Sequence, residues 1–518
     1  MPKTEQVEWE DVQGLVLDGL LGLPHAAYML WRCGAENDIA ATEAKAWLNG
    51  LADRVIRAAD HDGSGLRSVS WRRPTDLNDL KRSLDRAGNP DGGKHEPGRV
   101  GAINLALTAR GLMKFGAEDT ELSQFALQFR EGMAPRPLPG SAVSRRSNLL
   151  GDIGKNSPER WEWGGWNCEI IHGVLLLFAD SKASLEALID EEAAAMPGAV
   201  DRIRTLYGRI HADRREHFGF KDGISQPVIE GTPRADRLKR DNPKEARISV
   251  VKPGEFVLGY RNERGDPATF SHAAGKRDLA RNGTYLVFRQ LEQNVPRFNE
   301  FLLDAATCVF KTQQPCQSQL DWVASRLIGR MRSGEPLVPR GADSRWDAGD
   351  DGGVDEGSDR NDFLYHFEDR FGLACPIGAH IRRANPRDAL DPDPNTALRL
   401  SKMHRIIRRG RIYGDRLFAA GAETAGRPDD PRGLNFICLN ANISDQFEMV
   451  QHSWLNRTNF GGLHHESDPT SHYPDGGTTM TIQHRPANMR IPVPQLVTVR
   501  GGAYFFLPGI AALRSLAR

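Results

Sequence analysis

The stretch Gly283-Thr284-Tyr285-Leu286-Val287-Phe288-Arg289 decides how the chain is read. Its aromatic and branched residues predict a strand. Apolar Phe298, Phe301 and Leu302 follow at three- and four-residue spacing and predict a helix directly after it. The same succession occurs near the start, where Val12–Leu17 predicts a strand, Ala26–Trp31 a second extended piece, and residues from about Ala40 to Ala58 a helix. Each half offers another strand–helix unit: Ile170–Phe178 with a helix near Ser181–Ala195, and Leu434–Leu439 with a helical stretch over Ser444–Trp454. Asp445 and Glu448 lie early in the last of these, where the helix dipole favours anions. Such repetition predicts two related α+β domains, each a sheet with helices on one face. The polar, Pro-containing stretch Gly231–Ala246 places the boundary, giving an N-terminal domain over 1–235 and a C-terminal domain over 236–518.

Composition narrows the class. The chain has 518 residues, with 68 Lys plus Arg against 68 Asp plus Glu. A net charge of zero gives no support for a nucleic-acid partner or an anionic membrane surface. The acidic start Met1–Glu10 has no basic or apolar region of a secretory signal. The apolar run Val174–Ala179 is too short to span a bilayer. The six cysteines are scattered without a CxxC pair, which predicts a reduced, cytoplasmic chain with no cysteine-built metal site. Gly341–Asp362 reads as a solvated acidic loop, without the spacing of a calcium-binding EF-hand.

Three segments carry residues suited to chemistry. Gly219-Phe220-Lys221-Asp222-Gly223, continued by Ile224-Ser225-Gln226-Pro227, sets an Asp between glycines and beside apolar side chains. Desolvation there disfavours the charged form, and carboxylates held so often serve chemistry. The plain alternative is an Asp in a turn, bonding its own backbone. In Cys375–Asp388, a strand through Ala379–Arg383 would put His380 and Arg382 on one face. Gly378 and Ala379 leave room beside His380 for a flat, bulky ligand, and imidazole ligates haem iron; a hydrogen-bonded structural His is the alternative. Arg387 suits a carboxylate such as a haem propionate, or else a surface ion pair. In Ile406-Ile407-Arg408-Arg409-Gly410-Arg411-Ile412-Tyr413-Gly414, the apolar pair ahead of Arg408 predicts partly buried backbone. A buried Arg needs an anionic partner, and a structural carboxylate serves as well as a ligand. The basic run Arg405–Arg411 calls for an anionic cofactor or a solvated edge.

Taken in order, these segments resemble the dye-decolourising peroxidases, haem enzymes that carry a GxxDG motif, here Gly219–Gly223. The resemblance extends through Val12–Leu17 with Pro24-His25-Ala26-Ala27, through Tyr285–Gln290, Cys375–Asp388 and Ile406–Gly414, and through the closing Gly501–Pro508. It covers nearly the whole chain. GxxDG alone is a weak signal, but its succession with GAHIRRANPRD and IIRRGRIYG is highly specific. The resemblance implies two ferredoxin-like α+β domains, each an antiparallel sheet with flanking helices, with haem b held mainly by the second. It implies His380 as the proximal iron ligand, and Asp222 and Arg408 on the distal side where peroxide binds. Arg387 resembles a propionate-binding position, Leu434 and Phe436 an apolar distal wall, and Gln226 a residue near the haem edge. The long connection between His380 and Arg408, with Pro386, Pro392 and Pro394, is similar to that of the larger members.

The activity so implied is a haem-dependent peroxidase that reduces hydrogen peroxide through an oxo-ferryl intermediate and oxidises dyes, phenols or other one-electron donors. Asp222 would shuttle the proton. Arg408, which stays protonated, would stabilise developing negative charge. A free Asp titrates near ~4, which favours acidic pH unless burial raises that value. The alternative is a haem-handling protein, binding haem or releasing its iron, with incidental peroxidase activity. A third possibility is an interaction protein with an empty pocket. Distal polar groups separate the first two, since haem carriage needs chiefly His380.

Overall fold

Long runs of aromatic and branched residues form strands that pair antiparallel and close on themselves. The computed structural model describes residues 6–34, 37–60, 101–266, 277–339, 359–417, 426–471 and 478–518. The first half contributes β1 (His25–Cys33), β2 (Gly101–Leu107), β3 (Gly173–Ala179) and β4 (Val200–Arg209), in the spatial order β2-β3-β1-β4. The helices Asp38–Arg54 and Lys182–Ala195 follow β1 and β3. Two-residue strands β5 (Val228–Ile229) and β6 (Val250–Val251) pair apart from this sheet. The second half contributes β7 (Thr284–Gln293), β8 (Ile407–Arg408), β9 (Arg411–Tyr413) and β10 (Gly433–Asn440). The hairpin of β11 (Thr478–Ile482) and β12 (Met489–Val493) precedes the last strand, β13 (Val497–Leu507). Here the order is β13-β7-β10, with β9 and β8 sharing the far side of β10. Each half therefore places its strands in the ferredoxin-like order fourth, first, third, second, with helical segments after the first and third. Those of the second half are Val295–Phe310 and the π-helical run Ser444–Asn456.

Two seams join the halves into one ring: Phe506 of β13 opposite Leu107 of β2, and Arg209 of β4 opposite Ile412 of β9. Ring closure leaves few unpaired strand edges. Tyr28 of β1 meets Phe288 of β7 at 5.1 Å although these strands are not neighbours. Their face is thus the ring interior, filled by Leu30, Leu176, Phe178, Leu286, Ile437 and Phe505. The alternate residues Ala27, Met29 and Trp31 face outward and pack under Trp47, Leu48 and Leu51 of the first helix. The helix Val295–Phe310 begins where the Asn294 side chain accepts from the Arg297 N–H, with Pro296 in its first turn. It buries Phe298, Phe301 and Leu302, each worth roughly 1.5–3 kcal/mol relative to exposure. All six cysteines are free.

Several elements depart from the sequence reading. Val12–Leu17 is a three-ten turn at Gly14–Val16 rather than a strand. Val12, Leu15 and Val16 are all buried without alternation, and the Leu15 and Val16 carbonyls accept the Arg409 guanidinium at 2.7 and 2.8 Å. The first helix runs from Asp38 to Arg54 and stops there, because Val55 turns extended. The stretch Gly231–Ala246 falls largely within two short helices, Pro233–Asp241 and Pro243–Ser249, capped by Thr232 and Asn242. The expected boundary at 235/236 lies inside the first of them. Most of the acidic loop, residues 340–358, lies outside the described residues.

Candidate active site

A tight hairpin presents Asp222. Glu216 N–H donates to the Phe220 carbonyl, Gly219 N–H to the Glu216 carbonyl, and Asp222 N–H to the Arg214 carbonyl, all at 2.9–3.0 Å. Gly219 and Gly223 take φ of +93° and +83°, which a side chain resists. Inside the hairpin the Glu216 carboxylate accepts from the N–H groups of Phe218 and Phe220 and from Gln293 of β7. Burial nonetheless pushes the Glu216 carboxyl above its ordinary range. Asp222 itself is not desolvated as the sequence suggested: 51% of its side chain is exposed, toward two adjoining cavities. Its Oδ1 accepts from the Gly223 N–H at 2.6 Å and from Arg408 Nη2 at 3.1 Å. The turn bond read as the plain alternative for Asp222 thus coexists with an ion pair to Arg408.

Arg408 comes from β8, anchored opposite Cys438 of β10. The outer cavity, about 970 Å³, opens beside it and is lined by Arg209, Arg214 and Arg409 among others. The inner cavity, about 310 Å³, has Asp222, Gly223 and Arg408 on one wall and His380 among its other lining residues. Leu434 and Phe436 of β10, with Ile381, Val450 and Leu455, supply its apolar surface. Gln226 lines the outer cavity and not the inner one. Its amide is bonded to the Arg408 backbone.

His380 is not on a strand. It opens a short helix, His380–Ala384, after Ala379 in extended conformation. Pro376 and the buried Asp369 shape the approach, with Asp369 accepting from the Ala374 and Cys375 N–H groups. Residues two apart on a helix do not share a face. Arg382 accordingly turns away, to Asp369 at 3.1 Å and the Cys375 carbonyl at 2.8 Å. Arg383 is fully buried and donates to the carbonyls of Trp454 and Arg457, fixing the helix to the π-helical run. His380 Nδ1 meets Asp468 Oδ2 at 2.9 Å and Thr470 Oγ1 at 3.1 Å, which leaves Nε2 for a ligand bond. Asp468 is fully buried and also accepts from Thr470 and Ser471. Burial opposes both charges, but their mutual attraction outweighs it. The imidazole is held above its ordinary pKa and the carboxyl well below.

The inner cavity suits haem. Arg405 lines it, is 7% exposed, and has no hydrogen bond or ion pair from its guanidinium among the described residues. Burial pushes that guanidinium down to about 9, with Arg387 and Arg408 adding repulsion. Among the described residues Nη1 of buried Arg289 also has no partner, while its Nη2 meets Asp152. A buried cation without an anion is costly. A flat apolar macrocycle bearing two carboxylates would supply an apolar partner for the wall, an anion for Arg405 and an acceptor for Arg289 Nη1. Arg387 lines the same cavity but is neither in a surface ion pair nor free. It is buried, donates to the Asn361 and Phe363 carbonyls at 2.8 Å, and stacks on Phe363 at 3.7 Å.

The structure therefore brings Asp222, Arg408, His380, Arg387, Leu434 and Phe436 to one cavity and sets Gln226 outside it. Sequence reading missed Asp468, Thr470, Arg405 and Glu216. The basic run Arg405–Arg411 was the only signal pointing to any of them.

No family model matches the chain. It is similar to a dye-decolorizing peroxidase of Exidia glandulosa, 30% identical over 433 residues that cover 80% of this chain and 75% of that protein. It is also similar to a multifunctional dye peroxidase of an Amycolatopsis species, 31% identical over 375 residues covering 69% of this chain and 74% of that one. Among solved structures, a DyP-type peroxidase of Anabaena superposes with a TM-score of 0.71 at 21% identity, over 98% of this chain and 94% of that one. A dye-decolorizing peroxidase solved with 2,6-dimethoxyphenol gives 0.69 at 23% identity, over 99% and 100%.

Proposed function

The chain belongs to the dye-decolorizing peroxidases and is a haem-dependent peroxidase, and on that premise we propose which of its residues do the work. The cofactor is proposed to be haem b, which His380 Nε2 would ligate and whose carboxylates Arg405 and Arg289 would meet. Arg387, which lines the same cavity, would stand beside them. Leu434 and Phe436 are proposed to form its apolar wall. The division into domains 1–235 and 236–518 is kept as a proposal, supported by the repeated strand order.

Bound haem supplies the redox-active iron at which peroxide is reduced. Asp222, exposed to the cavity, would take up a proton of peroxide and give it back to the oxygen released as water. Arg408 holds that carboxylate through Nη2 and presents a fixed positive charge to the oxygen on which negative charge develops. Asp468 and Thr470 fix the tautomer and orientation of His380. One-electron donors such as phenols or dyes complete the turnover. A neighbour's complex with 2,6-dimethoxyphenol supports the phenol class.

The observation that carries this reading is the Asp222–Arg408 pair, 3.1 Å apart on the wall of the cavity that also holds His380. Haem carriage alone does not need it. The test is to load Arg408→Leu and Asp222→Asn with haem and follow their reaction with peroxide. Slow reaction with the Soret band retained supports both roles; wild-type rates in both would refute them.

A further inference from the structure

Gln226 stands four residues beyond Asp222 and reaches back to the strand of Arg408. Its Nε2 donates to the Arg408 carbonyl at 3.0 Å, and its Oε1 accepts from the Arg408 N–H at 3.0 Å. Arg408 lies in β8, which has only two residues and stands at the end of the sheet order. On one side it pairs with Cys438 of β10. On the other side its N–H and C=O are strand-edge groups that need partners. A carboxamide carries one donor and one acceptor at the spacing of a peptide group, and here it stands in for the missing neighbouring strand.

We propose that Gln226 is a positioning residue: its two-point bond fixes the Arg408 backbone so that the guanidinium meets both Asp222 and peroxide. Gln226 does not line the cavity of His380, so it is placed to act through Arg408 and not on the reacting atoms. The segment that carries the clamp also carries Asp222, so one loop sets both members of the ion pair. Its own backbone is held by a Gln226 N–H bond to the Ile224 carbonyl at 3.1 Å, and Pro227 restricts the residue before it. The inference rests on the charge-stabilising role given to Arg408.

The test uses haem-loaded Gln226→Met, Arg408→Leu and the double variant. Methionine keeps the length of the side chain and removes both hydrogen bonds. Gln226→Met is expected to keep the Soret band and the KM for a phenolic donor, while its rate constant with peroxide falls on the order of 10- to 100-fold. Hydrogen exchange at the Arg408 amide should accelerate. The double variant should be no slower than Arg408→Leu, because Gln226 then has no guanidinium left to place. A wild-type peroxide rate in Gln226→Met, or a double variant slowed by the product of the two single effects, overturns the inference. A wild-type rate in Arg408→Leu overturns the role of Arg408 and the inference with it. If Gln226→Met does not retain haem, unchanged protection of the Arg408 amide overturns it.

Discussion

Arg405 shows how a single residue reports on what a cavity is built to hold. It is enclosed, cationic and without a partner for its guanidinium among the described residues. Arg405→Ala should therefore weaken haem binding by roughly 10- to 100-fold, the worth of one charge-assisted hydrogen bond; titration of the apoprotein with haem measures this. Asp468→Asn should weaken haem retention or shift the ferric spectrum, with losses on the order of 10- to 100-fold when such a partner is removed. Glu255 gives a prediction about pH. It is buried, and desolvation pushes its carboxyl up to about 7. A raised folded pKa favours the protonated form, so stability is fully present below the unfolded value of ~4.3 and is lost as pH rises through about 7. Glu255→Gln should thus gain stability relative to wild type across that window, by up to roughly 3 kcal/mol, as read by thermal unfolding at several pH values. At this scale the sequence named Asp222, Arg408 and His380 but not the residues that hold His380. Asp468 lies 88 residues from His380, and no local pattern links them.

Elements decide where those residues point. The GxxDG motif works as a hairpin tip whose glycines adopt conformations that other residues resist. A Cβ at Gly219 would lie 2.2 Å from Arg332 Nη1, displacing the guanidinium that donates to the Phe218 carbonyl. Gly219→Ala should cost roughly 1–2 kcal/mol from its left-handed backbone and slow the peroxide reaction through Asp222; unfolding and stopped-flow measurements on the same variant check both. The long strands β1, β3, β7 and β10 were legible because their apolar runs are buried on both faces. Val12–Leu17 and Ala379–Arg383 were not. Short apolar segments do not distinguish a strand from a turn or helix by pattern alone. In both places tertiary contacts decide, through Arg409 at the first and Arg382 and Arg383 at the second.

At the scale of the whole molecule, the repeated strand–helix units were readable, whereas their closure into one ring was not. Each seam rests on a single paired position, which leaves no run of residues to read. Hydrophobic clusters nevertheless span both halves, from Ala27 to Leu516 outside the ring and from Val7 to Leu507 in the other layer. Thermal unfolding of the haem-free chain should accordingly be one cooperative transition; two resolved transitions would show that the halves stand alone. The ring also brings the hairpin of Asp222 to the strand of Arg408, with the helix of His380 lining the same cavity. That juxtaposition, a distal acid–guanidinium pair facing a carboxylate-held histidine, is the central claim. Stopped-flow mixing of haem-loaded wild type and Arg408→Leu with hydrogen peroxide tests it most directly. The account predicts a rapid change of the Soret band in wild type and a slowing on the order of 10²- to 10³-fold in the variant, the cost typical of removing one preorganised charge-stabilising group. Equal rates in the two proteins would contradict it.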